Sequence, residues 1–424
     1  MSNFDDRELS YEFRDKLARY SSYDIQRGLS LAQRLQPSFM SNQPNIKLSE
    51  KENFRSAEVQ TLFNLGVENF QLGNNQSAIN CFSQALQIDP THIGSLCLRG
   101  FSYDYIGDGE RASIDLKSVL EIDREDKPIY LLYAQAVGYS LLNNLAEATQ
   151  KFTEILYRQP ESQDKYASVN WFLRASTHYA HGKKLEALRD LNQSLSLNPK
   201  SFVSLFLRGS IHIQLGKLEK GIEDVSSALE INPYSEKVPL VLNLRGLAHY
   251  TLKKYHSAIE DLTRALEINP RHEENINSFY FRGLSYLVLG KCDKSIDDLT
   301  QALTINSDRK ENALKFYFRG IAYLELLDYQ KSIENFTKAI KLNPYHEQAA
   351  LNFYFRGLAN FQLEKFTEST EDLTRALKIA PNHEQAASNF YHRGLCYQQM
   401  GENDKAIEDL TRVTEIDPDF YSRF

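Results

Sequence analysis

Leu244-Arg245-Gly246 returns as Phe281-Arg282-Gly283, Phe318-Arg319-Gly320, Phe355-Arg356-Gly357 and His392-Arg393-Gly394, each 37 residues after the last. Self-similarity at a fixed period of this length marks stacked supersecondary elements in place of a single globular core. Counted back, the same frame reaches Gly209, Ala175, Ala136, Gly100 and Gly66, at spacings of 34–39 residues. About ten repeats therefore cover residues 57–418. A second small residue follows each anchor by 12, from Ala78 and Ala112 through Ser295, Ser332 and Ser369 to Ala406. A bulky apolar residue comes 4 after that, for example Phe82, Leu262, Phe336 and Leu410.

Each repeat holds two stretches of about a dozen residues with apolar side chains at intervals of three and four, which is helical spacing. A polar or glycine-bearing turn such as Leu289-Gly290-Lys291 splits them. Most repeats close on Asn-Pro or Asp-Pro, as at Pro90, Pro199, Pro233, Pro270, Pro344 and Pro418, because proline cannot continue a helix interior. The small residues fall where two helix backbones must approach. Each repeat thus reads as a helix hairpin, and since one hairpin cannot bury its own face, neighbours must stack.

Trp171 with Ala187, Leu191 and Pro199, and Leu65-Gly66 with Ala78, Phe82 and Pro90, resemble the tetratricopeptide repeat pattern of Trp, Leu-Gly, Ala, Phe and Pro at fixed offsets over about 34 residues. The resemblance covers about four-fifths of the chain. It implies an all-α, right-handed superhelical solenoid of about ten hairpins that binds a protein partner. Ser307 and Arg124 depart from the closing proline. The C-terminal half adds three residues per repeat, within segments such as His383-Glu384-Gln385-Ala386-Ala387. They are expected to lengthen the first helix by nearly one turn.

Composition bounds the function. The formal net charge is −7, and nucleic-acid binding needs clustered Lys and Arg. Four scattered cysteines, Cys81, Cys97, Cys292 and Cys396, point to a reducing, cytoplasmic setting with no disulfide frame. Met1 to Asp6 lacks the basic and apolar run of a signal peptide. The most apolar stretch, Ile129–Leu142, is too short to span a bilayer. No phosphate loop, nucleophile elbow, His-Glu-x-x-His or Cys-x-x-Cys is present, so neither an enzyme nor a cofactor is expected.

Two columns run through the repeats. Arg99, Arg174, Arg208, Arg245, Arg282, Arg319, Arg356 and Arg393 precede their anchors by one. Sixteen residues later stand Asp115, Asp190, Asp224, Asp261, Asp298, Asn335, Asp372 and Asp409. The repeats with Leu65 and Gln135 in the arginine position have Cys81 and Lys151 in the other. Columns that vary together read as a clamp inside the hairpin, since a guanidinium can hold a carboxylate bidentately. The alternative is a charged stripe that receives an acidic ligand.

The second column is aromatic: Tyr280, Tyr317, Tyr354 and Tyr391. Leu284, Ile321, Leu358 and Leu395 follow by 4, and Leu287, Leu324 and Phe361 by 7, so all share one helix face. The resemblance implies that this face lines a concave peptide-binding groove, where aromatic rings supply contact area. The competing reading is packing between neighbouring repeats. No asparagine directly follows the anchors, which disfavours the groove chemistry that captures chaperone tails.

Other columns read as structural. His178, His212 and His249 stand where tyrosine is expected and read as core histidines, since side chains on successive hairpins lie too far apart to share a metal. His-Glu at 272–273, 346–347 and 383–384 suits helix N-termini. Thr263, Thr300, Thr337, Thr374 and Thr411 read as packing or back-bonding on the second helix.

The ends differ from the array. Residues 1–56 contain two helically spaced stretches, Tyr11–Tyr20 and Asp24–Leu35, and a linker at Gln36–Lys51. They form either a cap or a separate binding segment. Residues 419–424 are an aromatic tail that folds over the last helix or is covered by another molecule. The expected function is a non-enzymatic adaptor or scaffold with a protein segment in its groove. The alternatives are regulation of an enzyme through residues 1–56 and self-assembly through the C-terminal end.

Overall fold

The computed structural model describes residues 50–122, 129–158, 165–235, 237–268, 275–305, 312–344, 347–381 and 385–423. They fall in two compact units divided between Tyr234 and Ser235. In the N-terminal unit α1 (Glu50–Gln71) pairs with α2 (Asn75–Ile88), α3 (Ile93–Tyr105) with α4 (Gly109–Glu121), and α5 (Ile129–Leu141) with α6 (Leu145–Arg158). Then α7 (Lys165–Ala180) pairs with α8 (Lys184–Leu197), and α9 (Phe202–Gln214) with α10 (Leu218–Ile231).

The C-terminal unit repeats the plan. Its first two hairpins are α11 (Val238–Thr251) with α12 (Tyr255–Ile268) and α13 (Asn275–Val288) with α14 (Cys292–Ile305). Next come α15 (Asn312–Glu325) with α16 (Tyr329–Leu342) and α17 (Glu347–Gln362) with α18 (Phe366–Ile379). The last is α19 (Ala386–Gln399) with α20 (Asn403–Ile416). The described residues are therefore all-α and arranged as ten hairpins.

The small anchors are required by close approach. A Cβ built on Gly209 would lie 2.7 Å from Val225 Cγ1 and 3.0 Å from the Gly221 carbonyl oxygen, inside any tolerable contact. Each first helix ends in a turn that needs a left-handed residue. Gly290 supplies it at φ 70°, but Leu327 occupies the equivalent place at φ 61°. Side-chain caps start several helices: Asp108 accepts from the Arg111 amide and Asp328 from the Lys331 amide. The core runs along the facing sides of the hairpins, with Phe82, Phe152, Leu191, Leu299, Phe336 and Leu373 fully buried.

Three details differ from the sequence reading or refine it. Helix α1 starts at Glu50, inside the stretch that reads as linker. The longer repeats do not gain a full helical turn throughout. Helix α9 has 13 residues, α13, α15 and α19 have 14, and only α17 reaches 16. The tail forms a short 3-10 turn, Phe420–Arg423. Phe420 is buried against Ala387 and Val413, so the tail folds over the last hairpin. Residues 1–49, His272-Glu273, His346 and His383-Glu384 lie outside the described residues.

Candidate functional site

The arginine column is built into the hairpin stack. Arg282 Nε donates to Asp298 Oδ2 and Nη2 to Asp298 Oδ1, both at 2.7 Å. Arg356 grips Asp372 at 2.8 and 2.7 Å, and Arg393 grips Asp409 at 2.7 and 2.7 Å. Arg245 holds Asp261 at 2.9 and 2.6 Å. The same bidentate pairs join Arg99 to Asp115, Arg174 to Asp190 and Arg208 to Asp224 in the N-terminal unit. Aromatic rings three residues earlier lie under several guanidinium groups, as Phe279 does at 5.8 Å from Arg282. With Asp298 only 6% exposed and Arg282 16%, little of this charge faces solvent. An acidic ligand would have to displace a carboxylate already held in two bonds.

The third guanidinium nitrogen reaches the preceding hairpin. Arg282 Nη1 donates to Thr263 Oγ1 at 3.1 Å. Arg319 reaches Thr300, Arg356 reaches Thr337 and Arg393 reaches Thr374, each at 2.9 Å. In the N-terminal unit Ser83, Thr153 and Asn192 accept from Arg99, Arg174 and Arg208. Four threonines of the column thus link neighbouring hairpins, which corrects the packing or back-bonding reading; Thr411 alone bonds back, to the Ile407 carbonyl. The signal was present as a constant 19-residue offset from Thr to Arg, but it crosses a repeat boundary.

Histidines join the same carboxylates. His212 Nδ1 lies 3.2 Å from Asp224 Oδ2, and the His178 and His249 Nε2 atoms lie 3.7 and 3.8 Å from Asp190 and Asp261. Burial pushes the Asp224 carboxyl up, but bonds from His212 and Arg208 outweigh it and hold the group below its ordinary value. Burial lowers His178 and His249, and the adjacent arginines add to that. Among the described residues no group of histidine, cysteine, aspartate or glutamate side chains could hold a metal ion.

The aromatic column is where the sequence reading needs correction. Tyr280, Leu284, Leu287, Tyr317, Ile321 and Tyr354 are 2–7% exposed, so they do not line an open groove. The Tyr280 ring centroid lies 6.2 Å from that of Phe318, Tyr317 lies 6.0 Å from Phe355, and Tyr354 lies 6.1 Å from His392. Each tyrosine is covered by the ring two residues before the next anchor. Burial pushes the Tyr354 hydroxyl up to about 12. The covering rings belong to the repeating Phe-Arg-Gly motif itself, so the missed signal was a second aromatic column beside the first. Farther along the C-terminal unit the stripe opens. Leu324, Leu358, Phe361, Tyr391 and Leu395 are half-buried, and Tyr391 lies 5.3 Å from Phe420.

Models of the tetratricopeptide repeat match residues 59–92, 172–236, 239–272, 313–346, 352–383 and 387–420, together more than half of the chain. No curated protein matches by sequence. Similar solved structures include a tetratricopeptide repeat protein from Parabacteroides merdae ATCC 43184, at 18% identity, with 62% of this chain and 98% of that one covered and a TM-score of 0.42. The APC/C hetero-tetramer Cut9-Hcn1 matches at 18% identity over 93% of this chain and 78% of that one, with a TM-score of 0.39. MamA matches at 20% identity over 42% of this chain and 97% of that one, with a TM-score of 0.37. None of these likenesses says what this chain binds. Among the described residues no helix is long and apolar enough to cross a membrane.

Proposed function

The chain belongs to the tetratricopeptide repeat family, and on that premise we propose that it is a non-enzymatic scaffold which holds a protein segment along α15, α17 and α19. The observation that carries this reading is the partial opening of the apolar stripe at Leu324, Leu358, Phe361, Tyr391 and Leu395. Half-buried apolar side chains at helical spacing offer contact area at little ordering cost. The occupant is an extended or helical peptide with apolar anchors, since the stripe has few charges to read. The buried tyrosines and the Arg-Asp pairs hold the hairpins in register and take no part in contact. A net charge of −7 disfavours nucleic acid as the partner.

The test is affinity capture with wild type, a Leu324→Ala, Phe361→Ala, Leu395→Ala variant and an outer-face Glu371→Ala control, each shown to be folded by its melting curve. A polypeptide retained by wild type and the control but lost by the triple variant supports the reading. Equal retention by all three places the contact surface elsewhere.

A further inference from the structure

The polar link between hairpins is not continuous. Inside the N-terminal unit, Arg99 ties α3 to Ser83 of α2, Arg174 ties α7 to Thr153 of α6, and Arg208 ties α9 to Asn192 of α8. At the remaining junction, between α4 and α5, the arginine position holds Gln135 and the aspartate position Lys151. Gln135 Nε2 donates a single bond to the Ile122 carbonyl at 3.1 Å. Lys117 stands on α4 where Ser83, Thr153 and Asn192 accept at the other junctions, so the guanidinium bond across the junction is replaced there by one neutral bond, and charge-assisted bonds are about twice as strong as neutral ones. The rest of the junction is apolar: Cys97 and Phe101 on α3, Leu116 and Val119 on α4, and Tyr133 and Val137 on α5 belong to one buried cluster. Burial, and then the neighbouring Cys97 thiol of the same buried cluster, push the Tyr133 hydroxyl up. Apolar contact is non-directional and does not fix register, whereas a guanidinium tie does.

We propose that the α4–α5 junction is a seam at which the α1–α4 pair of hairpins opens from the remainder of its unit while the tied junctions stay closed. In a stack where stability is a sum of hairpin and interface contributions, the weakest interface opens first. Opening there uncovers Cys97, which is otherwise 0% exposed. Cys396 is the matched reference: it is also 0% exposed and lies in α19, whose Arg393 is tied to Thr374 of α18.

The test uses the full chain with N-ethylmaleimide in native buffer, with each thiol followed by peptide mass spectrometry. Loss of one charge-assisted tie predicts Cys97 modification at least about ten-fold faster than Cys396. A Lys117→Thr, Gln135→Arg, Lys151→Asp variant supplies the acceptor on α4, the guanidinium and its carboxylate, restores the tie and slows Cys97 by a similar factor. Equal protection of the two cysteines in the wild type overturns the proposal. Should the triple variant fail to fold, deuterium exchange of the wild type decides. Shared lower protection across α1–α4 than across α7–α10 supports the seam, and uniform protection contradicts it.

Discussion

Eight arginines in the column face seven aspartates and one asparagine, and the exception isolates what the carboxylate does. Arg319 Nε donates to Asn335 Oδ1 at 2.8 Å. Burial without a carboxylate holds the Arg319 guanidinium below its ordinary value. Where an aspartate stands opposite, the balance reverses: burial still lowers Arg282 and Arg393, yet Asp298 and Asp409 outweigh it and raise both. Asn335→Asp is therefore expected to stabilise the fold by about 1 kcal/mol, the difference between a neutral and a charge-assisted bond. Thermal melting by circular dichroism checks it. A lower melting temperature would mean that the Asn335 Nδ2 bond to the Lys331 carbonyl outweighs the new charge pair. The Arg-Asp spacing was legible because both partners sit in one repeat and are exchanged together. The threonine that completes each tie was not, because its partner lies in the next repeat. Nor was the burial of Tyr280 and Tyr317, since periodicity tells which face of a helix a residue is on but not what fills the space opposite.

At the level of the helix, the joints depend on neutral histidines. His92 caps α3: its Nδ1 accepts from the Ser95 amide at 3.2 Å, and its ring packs edge-on against Phe63 of α1 at 5.1 Å. Burial lowers its pKa, opposed by Asp89. His392, which sits in the aromatic ladder beside Tyr354, is also lowered by burial, opposed by its bond to the Ser388 carbonyl. With His178 and His249 that makes four histidines, His92 buried and the others half-buried, held below their ordinary value. Their unfolded forms take up a proton near pH 6.5, before the folded forms do. The unfolded state then binds more protons, so stability is full above about pH 6.5 and falls as the pH drops below it. The melting temperature should be lower at pH 5.5 than at pH 7.5, and His92→Asn, which keeps a capping acceptor without titrating, should shrink the difference. A melting temperature that is flat or higher at pH 5.5 would contradict this account. A histidine cap is hard to read in a sequence, because Ser, Thr, Asp and Asn dominate that position.

At the scale of the molecule, the period alone announced an all-helical stack of hairpins, and the ten hairpins follow the anchors read from Gly66 to Gly394. The division between Tyr234 and Ser235 was not legible. Asn232-Pro233 closes its repeat as Asn198-Pro199 and Asn343-Pro344 close theirs, and neighbour contacts leave no trace in local composition. The candidate contact stripe was legible in part. The stripe was found by its spacing, but which of its members stay accessible depends on how closely successive first helices approach. That difference separates the buried members of the column from the half-buried ones. The most direct test of the account replaces Phe361 with a photoreactive phenylalanine analogue and, in a second protein, does the same at the outer-face residue Glu371, then irradiates each in native lysate. The account predicts a discrete polypeptide adduct at position 361 and none at 371. Adducts at 371 alone, or equally at both positions, would contradict it.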